Sequence, residues 1–245
     1  MAQELGRIDR PSADQYQGRR KLLLVPLVYA PQSDIQEGAT ALQNYWEQMT
    51  TQVAAMETAL GGLQHIYHES LTVGGSEGLE QLGATDQRSH RFIQDKCDAG
   101  AVLQATEDLE VLLETLDLQR CLMMPLASPS VSSKLQEWHT ESNRKRYEYI
   151  ASQIDTTLGE DALGLLMISE RHQVQFPGDI EVFYVSPPAL DEFRRWLQNW
   201  MAQQQQRMAA EPEPEEEDEA DEADEADEED GAAVEEEQES PEAGS

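Results

Sequence analysis

Residues 163–169, LGLLMIS, form an apolar run that stops abruptly at Ser169-Glu170-Arg171-His172. A short run with no polar alternation has the pattern of a strand buried on both faces, as in a sheet covered by helices. Similar segments recur along the chain with helix-period segments between them. KLLLVPLVYA (21–30) reads as a first strand in which Pro26 needs an edge or an irregularity. LQHIYHES (63–70) reads as a second, AVLQAT (101–106) as a third and IEVFYVS (180–186) as a last, after the turn signal FPGD.

Between the first two strands Ile35, Ala39, Leu42, Trp46, Met49, Val53, Met56 and Leu60 recur at spacings of four and three, one helical stripe stopped by Gly61-Gly62. The stripe fits packing on the chain's own sheet and also fits a coiled-coil seam with another helix or a second subunit. VGGSEG (73–78) leads into helical material ending near Gly100, and EDLEVLLETLDLQRCLMM (107–124) follows the third strand as a helix. MPLASPSVSS (124–133) has the composition of a connection. From about Lys134 to Leu158 a helix places Tyr147, Ile150, Ala151, Ile154 and Leu158 on one face, and PPALDEFRRWLQNWMAQQQQRM (187–208) closes the pattern. The order predicts an α/β fold with a mainly parallel sheet and helices on both faces, the segment 163–186 being equally compatible with an antiparallel hairpin.

Residues 21–208 are expected to form this single domain, after a loose N-terminus at 1–20 and before an acidic tail at 209–245. From Glu211 the chain has no Lys or Arg and carries 20 of the 49 acidic residues, in a short DEA repeat that self-repels and offers little to bury. The remainder is acidic as well, with a net charge near −12. Such a field opposes phosphate backbones and anionic membranes, so neither nucleic acid nor membrane is an expected partner; a basic protein partner for the tail fits better. No apolar run is long enough to cross a bilayer and the N-terminus lacks a signal-peptide centre, so a cytoplasmic location is expected. Cys97 and Cys121 have no CxxC partner. No sequence motif names a cofactor or a metal: GxGxxG after the strand, GxxxxGK[ST] and GxSxG are missing.

In an open parallel sheet ligands bind beyond the carboxyl ends of the strands, and here those ends carry Tyr29, His68-Glu69-Ser70, Thr106-Glu107-Asp108 and Ser169-Glu170-Arg171-His172. Thr106 or Asp108 also suits a helix N-cap. Arg144-Lys145-Arg146 is the tight basic cluster of an acidic body, suited to a solvated helix face or to Arg146 turning inward to clamp an anion. His65 and His68 point to opposite faces of a strand, a poor metal pair, and His68 with Glu69 contributes only if a loop begins there.

VPLVY in the first strand, Gly75 and Glu77, GAVLQATEDLEVLLE (100–114), RYEYIASQI from Arg146 and GLLMISERH ending in His172 together resemble an uncharacterised family of prokaryotic α/β proteins. This chain has Tyr29 where that pattern often has histidine, and Ser169-Glu170-Arg171 where it has a glycine. More remotely, an arginine-led helix, an apolar strand and a histidine are similar to the closing half of the TraB/ChaN/erythromycin-esterase-type group. That resemblance implies Glu, Arg and His converging at one sheet edge, here Glu107, Arg146 and His172. The expectation is a small-molecule site, hydrolytic in class, with Glu107 as general base or cation ligand, His172 as acid, base or ligand, and Arg146 as anion clamp or transition-state stabiliser. The alternative is a non-enzymatic interaction protein using residues 35–60 and the acidic tail, with self-association open to either reading.

Overall fold

A computed structural model describes residues 16–29 and 36–210, the side chains of 208–210 excepted. The acidic tail, the first fifteen residues and residues 30–35, Ile35 of the helical stripe among them, lie outside the described residues. The chain divides into two units, Met1–Gln203 and Gln204–Ser245, and of the second only Gln204–Ala210, the end of the last helix, is described.

The element order is β1 (Arg20–Leu27), α1 (Gln36–Leu60), β2 (Leu63–His68), α2 (Gly75–Thr85), α3 (Gln87–Asp98), β3 (Val102–Leu103), α4 (Leu109–Met123), α5 (Pro129–Thr157), β4 (Leu163–Ser169), β5 (Ile180–Tyr184) and α6 (Pro188–Ala210). All five strands are parallel, in the order β3-β2-β4-β1-β5. The hairpin alternative for 163–186 is therefore not adopted: β1 lies between β4 and β5 and runs parallel to both. Right-handed crossovers sort the helices by direction of travel. Connections β1→β2 and β2→β3 move toward one edge and β3→β4 moves back, which carries the α4–α5 pair to the opposite face.

Two cores match that division. On one face Leu23, Val25 and Leu27 of β1 and Leu165 and Met167 of β4 meet α1, α2, α3 and α6. On the other, Leu22, Leu24, Tyr67, Leu166 and Ile168 meet Ile150, Ile154 and Leu158 at the end of α5. Burial on both faces explains why β1 and β4 read as unbroken apolar runs. The stripe on α1 is spent inside the first core through Leu42, Trp46, Met49 and Val53, joined by Tyr45 and Gly38, so packing on the chain's own sheet is the outcome and a coiled-coil seam is not. Gly38 is where Trp196 of α6 presses on α1; a Cβ there would collide with the indole ring.

Several boundaries differ from the sequence reading for local reasons. Ser128 caps α5 by accepting from the Val131 N–H, and Pro129 enters its first turn, so the helix begins five residues before Lys134 inside the expected connection. The helical segment after VGGSEG is two helices, because Asp86 ends α2 and caps α3 by accepting from the Arg88 and Ser89 N–H groups. The third strand shortens to Val102–Leu103. Pro26 is tolerated in an interior strand because pairing with β5 ends at Leu24, and its carbonyl accepts from the Tyr45 hydroxyl. In GGSEG, Gly74 allows close approach to β3, where a Cβ would lie 2.7 Å from the Leu103 carbonyl oxygen, and Gly75 has φ +60°. Those glycines serve packing and the turn into α2.

Candidate functional site

Connections leaving β2 and β4 travel in opposite directions, so their carboxyl ends form the crevice of this sheet. β2 ends at His68, and a loop does begin at Glu69. The Glu69 N–H still donates to the Met167 carbonyl at 2.9 Å, after which Ser70 takes a left-handed conformation at φ +72° and turns the chain. The Leu71 carbonyl then accepts from both Thr106 and Glu107 N–H at 2.9 Å, and the His68 N–H donates to Thr106 Oγ1 at 3.1 Å. Thr106 therefore joins the two loops, while Asp108 caps α4 through the Val111 N–H at 3.0 Å. TED is in part a cap and in part the clasp that fixes Glu107.

Glu107 has a side chain with 0% exposure. It accepts from Arg146 Nε and Nη2, both at 2.5 Å, and from the Ser70 N–H at 2.7 Å. Three of the carboxylate's roughly four acceptor sites are taken by Arg146 and Ser70, so in this arrangement Glu107 anchors the arginine and the loop. Arg146 reaches the site from the middle of α5, its guanidinium 5.8 Å from the Tyr147 ring. Burial opposes its charge, but the bonds and charge of Glu107 more than offset this and its pKa is raised. Neighbouring Arg144 instead makes exposed ion pairs with Glu141 and Glu148, so the two readings of the basic cluster apply to different residues.

A second carboxylate completes the group. Glu69 Oε2 lies 3.7 Å from Arg146 Nη2 on a side chain only 8% exposed. Burial pushes its pKa up; the Ser169 N–H and hydroxyl and the Arg146 charge pull the other way without cancelling it. His68 is buried beside it. Its Nδ1 contacts the Glu69 carbonyl at 2.5 Å, which fixes the proton on Nδ1, and its Nε2 has no hydrogen-bond partner. Burial lowers the His68 pKa and keeps the ring neutral, against the charges of Asp86 and Glu107. Tyr29 senses the same group: crowding and the charges of Glu69 and Asp86 push its phenol up, opposed by Arg146.

His172 lies elsewhere on the same sheet edge. Its N–H donates to the Ser169 carbonyl at 3.2 Å, and its Nδ1 accepts from the Val174 N–H at 3.3 Å. It lines a cleft of about 370 Å³ over the ends of β1, β4 and β5, with Glu170, Tyr184, Ser186 and Arg194. Among the described residues no hydrogen bond or ion pair joins His172 to Glu107 or Arg146, so two of the three expected groups meet and the third faces a different opening. His65 bonds Gln104 and stacks on Tyr67, apart from His68. No group of three or more metal-ligating side chains occurs among the described residues.

Sequence reasoning left His68 and Glu69 out of the expected site, although the condition set for them, a loop beginning at Glu69, is met. Their one signal was position: they end the strand flanking the crevice. No protein-family model, curated protein or solved structure matches this chain.

Proposed function

We propose that the chain binds a small molecule at the carboxyl edge beside β2 and β4 and acts on it by hydrolysis, with Glu69 as the proton-exchanging group. The supporting observation is the buried Glu69 carboxyl, its proton affinity raised, 3.7 Å from a guanidinium that Glu107 holds rigidly. Raised proton affinity makes a carboxylate a stronger base near neutral pH, and a fixed guanidinium suits an oxygen that gains negative charge. Glu69 as carboxylate takes a proton from water as the water oxygen bonds to the carbonyl carbon. Arg146 stabilises the oxyanion. Collapse breaks the bond to the leaving oxygen, and Glu69 returns the proton to it, yielding an acid and an alcohol. Glu107 is a positioning residue.

The competing reading, an interaction protein working through residues 35–60 and the tail, loses its first element because α1 spends its stripe on the sheet. The test is turnover of a panel of small neutral esters by wild type, Glu69→Gln and Arg20→Gln. Glu69→Gln is expected to lower kcat at least 100-fold, in the range of general-base removal, with Arg20→Gln unaffected. Equal turnover by wild type and Glu69→Gln, or none by wild type, overturns the proposal.

A further inference from the structure

The cleft lined by His172 accounts for a residue the charge cluster does not use. Leu24, Pro26, Ile168, Val185 and Leu190 supply apolar walls at the ends of β1, β4 and β5 and the start of α6. Its two charged residues satisfy each other: Arg194 bonds Glu170 through two nitrogens and Asp191 through a third. The cleft therefore presents no unpaired charge. His172 joins the hydroxyls of Ser169, Tyr184 and Ser186 as the uncharged polar groups of the lining. Because Nδ1 accepts from the Val174 N–H, the ring proton is on Nε2, so the side chain is a neutral donor; burial, which lowers its pKa, keeps it so. Ser169 connects the two parts of the edge, lining this cleft while its N–H and hydroxyl act on the Glu69 carboxyl.

We infer that this cleft holds the apolar body of a small uncharged ligand, on the order of ten to fifteen heavy atoms, whose oxygen accepts a hydrogen bond from His172 Nε2. Paired charges, apolar walls and uncharged polar groups select against both cations and anions: an ionised ligand would lose hydration without finding a counter-charge, and the acidic body further opposes anions. A neutral ester of small aromatic or branched aliphatic groups has this chemistry. The assignment deepens the hydrolytic reading and rests on it for the chemistry, though not for the binding.

The experiment titrates full-length protein with methyl benzoate, benzoate and benzylammonium, followed by ligand-observed NMR. Methyl benzoate is expected to bind at least tenfold more tightly than either charged analogue. Ser186→Trp, at an exposed position on the cleft lining, should abolish binding with the fold intact by circular dichroism, and His172→Phe should weaken it about tenfold. Arg20→Gln, at the opposite edge of the sheet, should bind the ester as wild type does. Preference for a charged analogue, no binding of the ester, or undiminished binding by Ser186→Trp overturns the cleft assignment. Binding without turnover overturns the hydrolytic reading alone.

Discussion

The two ends of the sheet each carry ionic clusters, built in opposite senses. At the amino edge the cations are inside: the Lys21 and Arg20 side chains are 5% and 14% exposed, while their partners Asp161, Asp155 and Asp179 are more than half exposed. At the carboxyl edge the carboxylates are inside, Glu107 at 0% and Glu69 at 8%, with Arg146 at 14%. Ion pairs of the same chemistry therefore have different effects. Asp161 keeps its hydration and gains a lysine, so its pKa falls; Glu69 loses hydration and receives only a distant share of Arg146, so its pKa rises. A carboxylate in water beside a cation fastens a strand end. A carboxyl group out of water, with a shared cation, is primed to exchange a proton.

The largest consequence of this contrast is for Arg146. Arg146→Met leaves Glu107 buried without its counter-charge and Glu69 without its cation, which should cost about 3–5 kcal/mol in chemical denaturation, the usual cost of breaking a buried pair. Arg146→Lys restores a charge but not the two parallel bonds to Glu107, and should recover part of that loss. If Arg146→Met were no worse than removal of an amino-edge cation, the contrast between the two ends would fail.

The fold was legible because its elements repeat simple periods. Burial on both faces of β1 and β4 wrote unbroken apolar runs into the sequence, and the single buried face of α1 wrote the stripe from Leu42 to Leu60. The parallel arrangement of β4 and β5 was not legible, because a short connection through FPGD reads as a hairpin unless β1 is known to lie between them. The Glu107–Arg146 pair lies 39 residues apart in the chain and came only from a remote resemblance, since no period couples a loop carboxylate to a mid-helix arginine. His172 illustrates the converse. The same resemblance named it, yet its turn off β4 directs it to the opening above β5.

Next in size are the pH effects of the carboxyl edge. Glu69 has a folded pKa above its unfolded value, so its contribution to stability is full below the unfolded pKa and is lost as pH rises through the folded one. Glu69→Gln should remove that decline and make the protein relatively more stable at neutral pH, by about 1.4 kcal/mol for each unit by which the pKa is raised. His68 has the opposite sign. Its folded pKa is lowered, so stability should fall as pH drops below the unfolded value of about 6.5, and His68→Gln should flatten that limb. Denaturation midpoints from pH 4 to pH 8 separate the two, and an unchanged profile in both variants would remove the basis for a perturbed edge.

The smallest effect belongs to the amino edge. Arg20 bonds the Asp155 carbonyl and carboxylate and the Asp179 carboxylate, a network joining the start of β1 to the end of α5 and the turn before β5. With both acids open to water, Arg20→Met exposes no buried charge, and its loss removes only screened attraction and one bond to a carbonyl, about 1 kcal/mol in sum. Salt should distinguish the ends further. Raising ionic strength from 0.05 to 1 M should erase most of the Arg20→Met difference while leaving the Arg146→Met difference nearly intact, because ions screen exposed pairs far more than buried ones.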